Sequence, residues 1–154
     1  MIYNTNSSSG QSLVEVVVTV AIAMLILVAL VGGATVGVRN VQYSRSRARA
    51  MELNRQATEW LRSERAKGWS AFCSNLKDGT YCLKDLNFDN YGSCDSPGGP
   101  LLIDNTFKRE ANINVIENGA DLEKIDKVEI TVTTYWVDSQ GEHREEVETY
   151  LTRW

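Results

Sequence analysis

Gly10-Gln11-Ser12-Leu13-Val14-Glu15 runs straight into an apolar stretch that continues to Val38, and the reading of this segment decides the fold. Apart from Glu15, residues Leu13 to Val38 carry no charge. In a helix rising about 1.5 Å per residue they cover roughly 39 Å, more than the ~30 Å hydrocarbon core of a bilayer. Val14, Val16, Val17, Val18, Thr19 and Val20 are β-branched and form helices poorly in water. Lipid reverses that preference, because a lone apolar segment crosses hydrocarbon only as a helix that closes its own backbone hydrogen bonds. The sequence therefore predicts a transmembrane helix over residues 11–38.

Glu15 has two explanations. Ser12-x-x-Glu15 has the spacing of a capping box, and an acid in a first helical turn suits the helix dipole. Alternatively, a carboxylate inside hydrocarbon costs a few kcal/mol or more and marks a functional position. What favours function is the combination: a short polar leader ending in Gly10, then Gln11-Ser12-Leu13-Val14-Glu15, then a long apolar helix.

On these residues the chain resembles the precursor of a type IV pilin-like protein, a family of pilus subunits and of the pseudopilins of secretion and competence machines. The resemblance implies that a prepilin peptidase, a membrane aspartyl protease, cuts after Gly10 and methylates the new amino terminus at Gln11. It also implies that Glu15 serves subunit assembly. Two features depart from the family pattern: Gln11 stands where Phe is common, and the leader from Met1 to Gly10 has no Lys or Arg. A secretory signal fits less well, since its apolar core is usually about 7–15 residues and follows a positive segment.

The chain has 154 residues, room for one span and one small domain. Its net charge of −4 gives no overall basic footprint for nucleic acid. Nucleic acid would enter as a partner only if the chain were a minor pilin of a competence machine. Arg39, Arg45, Arg47, Arg49, Arg55, Arg62 and Arg65 follow the span, whereas Glu142, Glu145, Glu146 and Glu148 crowd the tail. Basic residues beside a span ordinarily mark its cytoplasmic side. The family resemblance implies the reverse, a carboxyl domain outside the cytoplasmic membrane, and three cysteines suit an oxidising compartment.

Gly32-Gly33 near the end of the span weakens the helix by about 1 kcal/mol per Gly relative to Ala. It reads either as a kink that melts on packing into a filament, as the resemblance suggests, or as small residues permitting close helix contact. Over residues 39–68 an amphipathic helix continues, with Ala50, Leu53, Ala57, Trp60 and Leu61 on one face and Gly68 as its C-terminal cap. The segment from Glu59 to Trp69 resembles a helix ending seen in some pilin-like proteins.

Residues 69–154 read as a loop-rich connector and a sheet. Turn formers crowd Asp78-Gly79, Asn90-Tyr91-Gly92 and Asp95-Ser96-Pro97-Gly98-Gly99-Pro100, around a short edge strand at Thr80-Tyr81-Cys82-Leu83. Cys73, Cys82 and Cys94 fall inside, and two of them are expected to pair. Spacing does not choose among the three pairings; Cys82 with Cys94 is preferred. Zinc is disfavoured because His143 is the one histidine. Asp85-x-Asn87-x-Asp89 alternates oxygen ligands as a calcium loop does, and some pseudopilins hold calcium in a comparable region. Asn90 and Ser96, however, replace the glycine and glutamate an EF-hand requires, so no cofactor is expected.

Three half-buried strands follow, carried by Phe107, Ala111, Ile113 and Val115, by Val128, Ile130, Val132 and Trp136, and by Val147, Thr149 and Leu151. Asp138 to Glu142 forms a hairpin loop that leaves His143 in solvent. The last seven residues, Glu148 to Trp154, resemble a pilin-like terminal strand. The expected fold is α+β: a long N-terminal helix packed on a small antiparallel sheet. No nucleophile, acid–base pair or phosphate loop with credible context is present, so the chain reads as a peptidase substrate and not as an enzyme. The leading expectation is a pilin, minor pilin or pseudopilin whose partners are like subunits, the peptidase and the bilayer. The alternative is a membrane-anchored external binding module that forms no filament.

Overall fold

A computed structural model describes residues 9–96, 99–117 and 125–153 of the chain. The expected leader up to Ser8, the turn residues Pro97 and Gly98, and Trp154 lie outside the described residues. Helix α1 runs from Ser9 to Lys67, and the chain divides into two units between Ser44 and Arg45.

The first unit holds the amino-terminal part of α1, a helix long and apolar enough to cross a membrane. Leu13, Leu25, Val28 and Val31 and the other large apolar side chains of this segment are exposed within the chain, which is what a lipid-facing or helix-facing surface requires. The helical backbone is unbroken through Gly32-Gly33, where the sequence allowed a kink. Thr35 Oγ1 donates to the Gly32 carbonyl at 2.8 Å, and a Cβ added at Gly32, Gly33 or Gly37 would meet nothing within 4 Å.

The second unit is the head, an α+β arrangement in which the carboxyl part of α1 packs on a four-stranded antiparallel sheet. Gly68, at φ 153°, ends α1 and leads into a short helix α2, Trp69–Ser74. The strands are β1 (Gly79–Cys82), β4 (Lys108–Glu117), β5 (Ile125–Asp138) and β6 (Gly141–Thr152), in the order β1-β4-β5-β6. A separate two-stranded ribbon pairs β2 (Asp95–Ser96) with β3 (Gly99–Pro100). The connector, expected to be mostly loop, thus contains one helical turn and three short strands. The expected edge strand is present at β1.

Alternation places Ile130 and Val132 of β5 and Ala111 and Ile113 of β4 on the inner face, in one core with Ala57 and Leu61 of α1, while the buried Trp136 of β5 packs beside Phe107. Ala50 and Leu53 complete the buried stripe of the helix, and Trp60 packs against the same core while remaining partly exposed. One strand departs from expectation. Val147 shares the inner face of β6 with Thr149 and Leu151 but is 39% exposed, because β6 is the outermost strand and no strand lies beside it among the described residues. The hairpin loop is also tighter than expected, with only Ser139-Gln140 between the paired Asp138 and Gly141.

Asn54 and Arg109 are the largest of the polar residues buried where the helix crosses the sheet. Asn54 Nδ2 donates to the Glu145 carbonyl at 2.9 Å, while its Oδ1 accepts from Thr134 Oγ1 at 2.6 Å. Arg109 of β4, 2% exposed, donates from Nη1 to the Leu53 carbonyl at 2.9 Å and from Nε and Nη2 to the Leu83 carbonyl at 2.9 and 2.7 Å. Burial pushes its guanidinium down to about 10, with the nearby Arg49 charge acting in the same direction.

Arg109 therefore bolts helix, connector and sheet together through neutral carbonyls. Arg109→Ala should cost the full chain in detergent about 3 kcal/mol or more in chemical unfolding, since it opens a cavity and strands buried acceptors. Arg109→Lys should recover only part of that loss, because an ammonium cannot span carbonyls on both sides.

Candidate functional site

The sequence places its strongest candidates on the first unit. Gly10 and Gln11 lie within the helical backbone, and Glu15 follows on the exposed surface of α1. Because the described helix already begins at Ser9, Ser12 is an interior helical residue and no acid occupies the first turn. That removes the capping-box explanation for Glu15, which requires Ser12 at a non-helical entry position. Thr19 Oγ1 turns back onto the Glu15 carbonyl at 3.0 Å and the Val16 carbonyl at 2.9 Å, so this hydroxyl is satisfied within the helix. Glu15 is the one acid of the apolar segment from Leu13 to Val38.

In the head, the connector is held by a disulfide between Cys82 and Cys94, the preferred pair, while Cys73 is a buried free thiol in the core. The bridge has a local role. Cys82 N donates to the Asn90 carbonyl at 2.9 Å and Gly92 N to the Thr80 carbonyl at 2.7 Å, so residues 90–92 cover the outer side of β1. Tyr91 closes over this corner, its hydroxyl donating to the Asp78 carbonyl at 2.7 Å and its ring set edge-on to Tyr81. Gly79 sits beneath that hydroxyl at φ 131°, where a Cβ would come within 2.5 Å of the oxygen.

Of the calcium-loop residues, Asp85 and Asp89 are exposed, and Asn87 Oδ1 accepts from Asp89 N at 3.3 Å within the turn. Among the described residues no group of three His, Cys, Asp or Glu side chains is placed to hold a metal ion.

The basic stem is less free than its sequence suggests. Arg47 pairs with Glu145, and Arg49 donates from Nη2 to Asp104 Oδ2 at 2.8 Å, so two of the arginines tie α1 to the rest of the head. Arg55 is held between Glu52 and Glu59, each at 3.0 Å. His143 also departs from expectation. Its ring stacks on Trp136 with centroids 5.4 Å apart, and Nε2 lies 2.9 Å from Asp138 Oδ1, so it is half-buried and not in open solvent. Short-range polarity concealed this, because the stacking partner lies across the hairpin.

Comparison of the chain with family profiles, with curated proteins and with solved structures finds no match.

Three measurements check this geometry. Cys82→Ser with Cys94→Ser should destabilise the head by about 2–4 kcal/mol, the scale for a loop of this length. In the unreduced wild-type chain Cys73 should resist alkylation until unfolding, because burial both hides the thiol and raises its pKa. At the hairpin, the Gln140 N–H and then His143 hold the Asp138 carboxyl below its ordinary 3.8. Its stabilisation is present above that value and lost as pH falls through the lowered one, so the Gln140 amide resonance should titrate with a midpoint below 3.8.

Proposed function

We propose that the chain is a structural subunit of a type IV pilus-like or pseudopilus filament, matured by a prepilin peptidase that cuts between Gly10 and Gln11. The observation that carries this reading is a single acid, Glu15, on the apolar segment of α1 from Leu13 to Val38, which is otherwise without charge and whose large side chains are exposed among the described residues. Such a carboxylate needs a cation supplied from elsewhere.

Cleavage would create one. A new amine on Gln11 would stand at the positive end of the α1 dipole, where a like charge is unfavourable. Glu15 of an adjacent subunit would neutralise it, and each charge would offset the desolvation cost of the other. Register between neighbouring helices would then be set by the four-residue offset between Gln11 and Glu15. The bare surfaces at Gly32, Gly33 and Gly37 leave room for another helix backbone to approach. The head would be carried outside the cytoplasmic membrane, where Cys82 and Cys94 oxidise. This role makes the chain a substrate of the peptidase, with no catalysis of its own.

Glu15→Ala should leave membrane insertion intact while reducing incorporation into sheared filaments about tenfold or more, as expected for loss of one partner of a buried charge pair. Normal incorporation of that variant would exclude the mechanism. Mass spectrometry of the mature amino terminus separates the two functional classes: N-methylated Gln11 supports the filament, and a chain that keeps Met1 supports a tethered binding module.

A further inference from the structure

The head's sheet has two edges, treated differently. The β1 edge is covered by residues 90–92. The other edge is β6, twelve residues long, and no strand lies beside it among the described residues.

The register fixes which backbone groups face outward there. Arg153 N donates to the Asp126 carbonyl at 3.1 Å, and this pair continues the unbroken β5–β6 register from Lys127↔Thr152 to Asp138↔Gly141. In an antiparallel ladder, bonded and non-bonded pairs alternate. Odd-numbered residues of β6 therefore bond to β5, and the N–H and C=O groups of Glu142, Arg144, Glu146, Glu148 and Tyr150 point away from the sheet. The Thr152 end is closed, because Arg65 Nε donates to its carbonyl at 3.1 Å.

The side chains along this edge state what would fit. Glu146 and Glu148 lie on the outer face with no ion pair among the described residues. On the inner face, Val147 is left partly exposed at the flank. A second β6 laid antiparallel on this edge would bring glutamates against glutamates, which is unfavourable. Exposed edges are ordinarily blunted by charges of this kind. Here the outer face carries Glu142, Glu146 and Glu148 against the single Arg144, and an apolar side chain remains exposed at the flank, which disfavours self-pairing but leaves a complementary strand acceptable.

We infer that the open edge of β6 is a docking site for an extended segment of another protein, basic on its outer face and apolar on its inner face, which adds a fifth strand. Main-chain bonds to Arg144, Glu146, Glu148 and Tyr150 hold the segment. Its Lys or Arg residues face Glu146 and Glu148, and its apolar residues cover Val147. The inference is independent of the filament reading, since it concerns the head alone.

The test uses the full chain in a neutral detergent and a synthetic acetylated, amidated peptide of alternating Lys and Val, with a Glu-Val counterpart and a backbone N-methylated Lys-Val version as controls. The Lys-Val peptide should slow amide exchange at Arg144, Glu146, Glu148 and Tyr150, and both controls should bind about tenfold more weakly or not at all. Glu146→Lys with Glu148→Lys should reverse the preference in favour of the Glu-Val peptide. These positions are exposed, so the variant should fold, and unchanged β5 exchange verifies that. The inference is overturned if the even-numbered amides of β6 are not protected, if N-methylation leaves binding unchanged, or if the double variant keeps the original preference.

Discussion

A guanidinium buried among backbone carbonyls is the constraint on which the head depends. Arg109 has left water, and the drop of its pKa to about 10 records the cost. Carbonyls compensate for that cost: Leu53 from the helix, Leu83 and Lys84 from the connector. Neutral acceptors do not repay a buried charge as an anion would, but they fix direction, because each N–H must find a particular oxygen. Helix, connector and sheet can meet around this cation in one arrangement. Asn54, the next residue of the helix after Leu53, performs the same service, joining α1 to Thr134 of β5 and to the backbone of β6.

Much of the architecture was legible because it is periodic. Ala50, Leu53, Ala57 and Leu61 recur at helical spacing, Val128, Ile130 and Val132 alternate, and in both cases burial follows. The preference for Cys82 with Cys94 also agrees with the structure, though spacing had not chosen it. What escaped was of a different kind. Arg109 and Asn54 look like solvated polar residues until strands far apart in sequence are brought together, and no local pattern announces a partner 56 residues away. The helical setting of Ser12, which disposes of the capping box, depends on where the helix begins, and boundaries are the least readable part of a pattern. Val147 follows the inward alternation faithfully and is still exposed, since alternation tells a face and not whether the strand sits at the rim.

The two units use water in opposite ways. In the head, apolar side chains are hidden and polar ones satisfied across the chain. In the amino-terminal unit, Leu, Ile and Val face outward along a helix long and apolar enough to cross a membrane. Glu15 is the exception in that second environment, as Arg109 is in the first. The proposed filament gives both charges the same logic: a group taken out of water specifies its neighbour because only one arrangement satisfies it.

The stapled corner at Cys82 and Cys94 has a bearing on the order of events during biogenesis. While those thiols are reduced, nothing covalent keeps residues 90–92 against β1, and a nascent head would present hydrogen-bonding fringes on both flanks. Oxidation converts a template that could propagate in two directions into one with a single accessible side. Early oxidation of the pair would thus protect the young head from cross-β association.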